Sequence, residues 1–332
     1  MNKWISQFNY NPIPALLSSD QKAIHYFVQK ELLDNQTISR EDLWHLQQPK
    51  QILRKQLDDG AWPRSGNNKH PAVNVELIET WRNLRVLIEM YDFDKTNIQI
   101  QKAAEYVFQC QSDQGDIRGF LANQYATYYT GALLGLLIKA GYESDPRVEK
   151  GMQWLLSMRQ NDGGWSIPMI THKFSKDEQY RLSSEFLPPV EPDRKKPFSH
   201  NWTGMVLRAF AEHKKYKQSN AAIHAAELLS SRFFEKDAYT SYQDANYWIR
   251  FEYPFWWNNL ISAMDSISKI SPGNKNPKIK KAFKWFIENQ KSDGTWQYTY
   301  VPGKYIHNPK NESTNLWVTL SICRIFQRYD RE

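Results

Sequence analysis

The feature that most constrains this chain is a short phrase that it repeats. Gln56-Leu57-Asp58-Asp59-Gly60-Ala61-Trp62 places Gly four and Trp six residues after a Gln, and Gln290-Lys291-Ser292-Asp293-Gly294-Thr295-Trp296 does the same. Gln111–Ile117 keeps the Gln and the Gly but puts Ile117 in the Trp place, and Gln160–Trp165 is one residue shorter. Each phrase follows one helical run and precedes another. Asp-Gly supplies the left-handed conformation that ends a helix, so the phrase reads as the turn of a helix hairpin, with the Trp filling the gap between neighbours. Near-copies roughly 50 residues apart signal stacked repeats.

The runs between the phrases have helical spacing. Ser18-Ser19-Asp20 opens a helix to about Leu33. Ser39 and Asp42 have capping-box spacing before a second helix, which Pro49 should kink or split. Ala72–Tyr91 follows, with Val73, Leu77, Trp81, Leu84 and Ile88 on one face. Asn97–Gln109, Gln124–Ala140 with Gly141 as its cap, and Arg147–Arg159 behind Asp145-Pro146 continue the series. At Ser166–Ser199 the rhythm breaks into a charged, Pro-bearing stretch with no helical period beyond a turn. Loops of such length are functional or disordered; a lid over a binding site and a plain surface excursion both fit. Helices resume at His200–His213, Asn220–Phe234, Pro254–Ile270, Pro277–Asn289 and Ser313–Tyr329. The turn after Phe234 has lost its Gln and Trp, with Tyr239 and Tyr242 nearby instead.

This predicts an all-α chain of eleven or twelve helices in five or six hairpins, a single domain over 1–332 with 166–199 inserted. A closed double ring and an open solenoid are both available. The ring is favoured because six hairpins suffice to close one, and neither terminal unit carries a polar capping face. Of the 332 residues 41% are hydrophobic and 14% aromatic, enough for a large core. The +7 formal charge suits an acidic ligand or a membrane surface. The basic residues are spread, with only short runs such as Arg194-Lys195-Lys196 and Lys280-Lys281, which disfavours nucleic acid. Cys110 and Cys323 are the only cysteines, no run approaches a membrane span, and Met1–Tyr10 lacks a signal pattern. The expectation is a soluble, cytoplasmic protein.

The phrases resemble the Gln-Trp repeats of the terpenoid cyclase and protein prenyltransferase superfamily, and Gly131–Trp165 is similar to one complete squalene-cyclase-like repeat. The resemblance runs from about Gln51 to the C-terminus. It implies an (α/α)6 toroid of about six hairpins, with inner and outer helix rings around a central cavity and structural phrases at the periphery. Gln56, Trp62, Gln160, Trp165, Gln290 and Trp296 are thus expected to cap and pack. The motifs that carry activity in the superfamily are missing. There is no Asp-x-Asp-Asp to keep a neutral carboxylic acid as proton donor; the nearest match, Asp92-Phe93-Asp94, reads as a helix terminus. The Asp-x-Cys zinc pair is absent, since Phe108 precedes Cys110 and Ser321 precedes Cys323, and both cysteines read as small core residues. No adjacent Cys-His pair exists, and Asp58-Asp59 lies in a turn rather than in a magnesium motif. No metal or cofactor is expected.

If the ring forms, the helices after the phrases are the inner ones, and their beginnings carry side chains that packing alone does not demand. Asp116, Glu76 and Glu312 are the candidate acids, with Arg118 and His200 as polar anchors. Tyr125, Tyr128, Tyr129, Trp202, Tyr253, Trp256, Trp257 and Asn315 are the candidate ligand wall. Aromatic faces stabilise carbocations through the ring quadrupole; they also stack on sugars, or simply fill a core with their polar tips bonded. Asp116 and Arg118 equally suit a turn's own ion pair, His200 a helix-start contact, and Glu76 and Glu312 first-turn acids favoured by the helix dipole. Three functions follow. The first is a toroid that binds and transforms a hydrophobic isoprenoid or lipid, with peripheral membrane contact compatible with such a ligand. The second is a carbohydrate-active toroid with carboxylates about 5 Å or roughly 6.5–9.5 Å apart. The third is a non-catalytic scaffold or lipid-binding protein that kept the fold and lost the chemistry.

Overall fold

A computed structural model describes residues 3–35, 37–64, 72–239, 245–273, 276–299 and 309–331. The chain is all-α, of the helix-hairpin class the repeats imply. Its helices are α1 (Ile13–Leu17), α2 (Lys22–Phe27), α3 (Arg40–Trp44), α4 (Gln47–Leu53), α5 (Val75–Tyr91), α6 (Ile98–Gln109) and α7 (Thr127–Leu137), then α8 (Pro146–Ser157), α9 (Lys176–Ser184), α10 (His200–Glu212), α11 (Asn220–Ser231), α12 (Leu260–Ile270), α13 (Pro277–Glu288) and α14 (Pro309–Asp330). The β-structure among the described residues amounts to two isolated bridges, Gln111 with Ile117 and Gly119 with Ala122. Two compact units result: Trp44–Ala225, and Met1–Leu43 together with Ala226–Glu332.

Within Trp44–Ala225, α5 starts where the Asn74 side chain accepts the Leu77 N–H at 2.8 Å. It buries Leu77, Thr80, Trp81, Leu84, Leu87, Ile88 and Tyr91, one face at helical spacing, and ends on Asp92 in the left-handed region. Phe93 is buried and stacks on Trp44 at 4.9 Å, so Asp92-Phe93-Asp94 is indeed a helix terminus. Every residue of α7 is buried. This helix packs on α5, α8 and α10. Its approach to α10 is close enough that a Cβ on Gly131 would lie 2.6 Å from Val206 Cα. In the other unit, α14 packs on α1 and α12.

The repeated phrase proves to be a hydrogen-bonded clasp. Gln56 Nε2 donates to Gly60 O (3.0 Å), within its own turn, and to Gln99 O (2.8 Å) in the first turn of α6. Gln111 does the same with Gly115 O (2.8 Å) and Arg147 O (2.9 Å) of α8, and Gln290 with Gly294 O (3.0 Å) and Tyr10 O (2.7 Å) just before α1. The next residue in the device is a threonine of the following helix. The Trp62, Ile117, Trp165 and Trp296 N–H groups donate to Thr80, Thr130, Thr203 and Thr319 Oγ1 at 2.8–3.2 Å, and all four threonines are buried. The indoles of Trp62, Trp165 and Trp296 donate back to Ile52, Leu155 and Phe286 O at 2.7–2.8 Å. Ile117 forgoes only this last bond. Gly60 has φ +93°, and a Cβ there would lie 2.2 Å from Lys102 O, so no other residue fits.

Several expectations are corrected. The turn after α11 does have a Trp: Trp248 is buried and its indole donates to Glu235 O at 3.0 Å, but a longer run hides the spacing. Tyr242 and the stretch 65–71 lie outside the described residues. The insertion 166–199 contains α9, opened by a capping box between Ser175 and Glu178. The short α1, with Pro14 in its first turn, precedes the first expected helix, and Ser39 pairs with Glu41 rather than Asp42. The split near Pro49 falls at His45-Leu46, with Pro49 inside the first turn of α4. Asn259 caps α12, which therefore starts at Leu260 and not at Pro254.

Candidate functional site

In Trp44–Ala225 the starts of α7 and α10 bring three of the expected wall residues together. Ser199 caps α10 by accepting the Trp202 N–H, which sets the Trp202 ring against Tyr128 (centroids 4.3 Å apart, planes at 35°). Tyr128 touches Tyr129 at 4.2 Å. Tyr129 in turn stacks on Phe120 (3.9 Å, 18°) and meets Trp81 edge-on at 5.0 Å. The Arg85 guanidinium lies 4.6 Å from the Trp81 ring centre. Five aromatic rings thus form one buried run from α10 through α7 to α5. Burial pushes the Tyr128 hydroxyl well above 10, so it stays protonated. Phe120 and Trp81 belong to this run, although helical periodicity marks Trp81 only as core.

Tyr125 stands apart from that run. Its ring faces the Arg118 guanidinium (5.2 Å) and Trp154 (5.8 Å), and its hydroxyl donates to Glu191 Oε1 at 3.4 Å. Asp116 is fully buried and accepts from Ser112 Oγ and from Arg118 Nε (2.9 Å). Arg118 also donates to Asn123 Oδ1 (2.9 Å) and Gln114 Oε1 (3.3 Å). Asp116 and Arg118 thus form an ion pair within their own turn. His200 is buried as the first residue of α10. Glu76 is half-buried in the first turn of α5. Beside it, Asn74 accepts from Tyr106 OH (3.1 Å) and donates to Cys110 Sγ (3.6 Å). Burial pushes the Cys110 thiol up to about 11 and raises that of Cys323 too; Cys323 is a buried core residue as expected, whereas Cys110 is only half-buried.

The other five candidates lie in the second unit. Tyr253 stacks on Trp317 (5.1 Å, 2°) with Phe255 edge-on at 5.3 Å. Trp256 and Trp257 are half-buried, and both backbone N–H groups donate to Glu252 Oε1, at 2.7 and 3.0 Å; sequence reasoning missed Glu252. Asn315 accepts the Tyr298 N–H at 2.6 Å. It shares a cleft of about 480 Å³ with the exposed Glu312 and with Asp293, Ser18 and Gln297. A second cleft of about 430 Å³ shares Lys291 and Gln297 and adds Phe251 and Trp285. Among the described residues no group of His, Cys, Asp and Glu is arranged to hold a metal, and no helix is long and apolar enough to cross a membrane.

No family profile and no curated protein sequence matches this chain. Solved structures of similar architecture do. A family 88 glycosyl hydrolase from Bacteroides vulgatus matches at 12% identity and TM-score 0.48, covering 99% of this chain and 97% of that one. A protein from Actinoplanes matches at 16% and 0.47, with 87% of each chain covered. A type II terpene cyclase from Scytonema matches at 13% and 0.41, covering 88% of this chain and 81% of that one. Hydrolase and cyclase stand side by side here, and the likeness is one of helical architecture that leaves the reaction to be argued from the site.

Proposed function

We propose that the chain is a terpenoid-cyclase-like protein whose hairpins build one α/α toroid, and that it binds a hydrophobic isoprenoid or similar lipid against the aromatic wall of α7 and α10. The observation that carries this reading is the unbroken run Trp202, Tyr128, Tyr129, Phe120 and Trp81, which joins the starts of α10 and α7 to the buried face of α5. A wall of π faces suits a polyene chain and any cation that develops along it. Asp116, paired to Arg118, orders the loop into α7. Glu76 and His200, at the starts of α5 and α10, are the groups assigned to proton transfer. The ligand is small and apolar, and a membrane surface is its natural source, which the +7 charge favours.

Native mass spectrometry of the purified protein with a lipid extract and a series of prenyl diphosphates tests this. The expected result is a retained lipid or a prenyl mass shift that Trp202→Ala abolishes. No retained ligand and no shift with any prenyl compound overturns it. A second reading, carbohydrate-active, is supported by the open cleft in which Asp293 and Glu312 both take part. It expects new reducing ends from a polysaccharide panel, lost in Glu312→Gln.

A further inference from the structure

The insertion leaves and returns at one point, because the Ser199 N–H donates to Trp165 O at 2.9 Å. Its returning limb is fixed. Gln160 Nε2 donates to Asp193 O (2.8 Å) and Lys196 O (3.0 Å), Arg194 Nη1 to Arg159 O (2.6 Å), and the Phe198 N–H to Asp162 Oδ2 (2.7 Å). A second closure lies further out, where the Asp193 N–H meets Thr171 Oγ1 (3.0 Å) and His172 Nε2 meets Glu191 O (2.7 Å). Beyond this neck, α9 buries no residue, and Tyr180 and Phe186 are 65% and 76% exposed. A helix of that length does not hold itself in water without help. Few buried contacts and exposed backbone bonds mark a segment that opens at low cost.

Two side chains just ahead of α7, chiefly Gln124, tie that segment back. Gln124 is almost wholly buried. Its Nε2 donates to Pro188 O (3.0 Å) and Leu187 O (3.3 Å), while its Oε1 accepts the Val190 N–H (2.9 Å). Asn123 Nδ2 adds a bond to Leu187 O at 3.0 Å. Gln124 lies just ahead of Tyr128 and Tyr129 on the way into α7. We propose that residues 172–190 are a hinged cover over the aromatic wall at the start of α7, and that Gln124 is the positioning residue that latches it closed. The cover rests on the isoprenoid-binding reading; the latch does not. The neck at Thr171 and Asp193 is the hinge, and the fixed limb 193–199 keeps α10 in place while the tip moves.

The test is hydrogen exchange on the full chain, paired with release of a fluorescent prenyl diphosphate measured by stopped flow. In Gln124→Ala, exchange across 172–190 should quicken about tenfold while α7 and α10 stay protected, and probe release should quicken by a similar factor. Val190→Pro removes one latch bond from the strap side without touching α7, and should reproduce both changes if Gln124→Ala fails to fold. Unchanged exchange in both variants overturns the latch. Faster exchange with unchanged release leaves Gln124 a mere loop tie and overturns the cover. If the wild-type protein binds no prenyl compound, the ligand class and the cover both fall, and the exchange result still decides the latch.

Discussion

Two glutamines in Trp44–Ala225 use the same amide to different ends. Gln111 bridges Gly115 O of its own turn to Arg147 O in the first turn of α8, a helix packed on α7. Gln124 reaches instead to Pro188 and Val190, backbone in an insertion whose own helix buries no side chain. The bonds have similar lengths. What differs is the stability of what they hold. An amide bonded to a packed helix becomes a fixed joint, whereas the same amide on a weakly packed strap becomes a contact that can be let go. Gln160 shows the intermediate case, since its donors go to Asp193 and Lys196 of the strap's fixed limb.

The difference can be broken from the clasp side first. Trp165→Ala should have the largest effect, about 4 kcal/mol of unfolding free energy, because it empties a fully buried site and removes the indole bond to Leu155 O. Urea unfolding followed by circular dichroism measures it. Gly60→Ala comes next at about 3 kcal/mol, from left-handed backbone and collision with Lys102 O. An unchanged denaturation midpoint would show that the clasp can slide off α6. Thr203→Val should cost about 1–2 kcal/mol by removing the hydroxyl that accepts the Trp165 N–H. Gln124→Ala, by contrast, should shift the global midpoint least of these substitutions.

The smallest effect is one of pH. His213, the residue that ends α10, is buried with Nδ1 at 3.4 Å from Glu143, and desolvation lowers its pKa below the ordinary 6.5 despite the attraction of Glu143 and Glu149. A histidine kept neutral in the fold contributes stability that is present above about pH 6.5 and is lost as pH falls through that value towards the lowered one. The urea midpoint should therefore be lower at pH 5.5 than at pH 7.5, and His213→Gln should flatten that slope.

Helices and clasps were legible because their signals are local and repeated: Asp-Gly turns, apolar spacing, and a Gln at a fixed distance. The threonines that complete the clasps were not. Each contributes one hydroxyl from the next helix, and the distance from Trp to Thr varies with the loop between, so no spacing exposes Thr80, Thr130, Thr203 and Thr319 as a set. Helix α9 escaped for the opposite reason, since a helix that buries no face shows no period; its one legible mark was Ser175 three residues ahead of Glu178. At the site, Tyr128, Tyr129 and Trp202 were visible as aromatics at helix starts. Asp116 engages both Arg118 and Ser112, and the Ser112 contact, closed by the turn itself, carried no mark in the sequence.

The last clasp takes its partner from the other end of the chain. Gln290 and Tyr10 exchange two bonds, Nε2 to carbonyl at 2.7 Å and backbone N–H to Oε1 at 3.0 Å, and Asn9 adds one to Ile287 O. On the ribosome this imposes a schedule. In the earlier-made Met1–Leu43, Phe8 packs on Trp296 and Phe326 and Phe27 on Trp317, so these apolar side chains have partners that are translated last. At roughly 5–20 residues per second, that apolar segment waits on the order of tens of seconds for the residues that cover it.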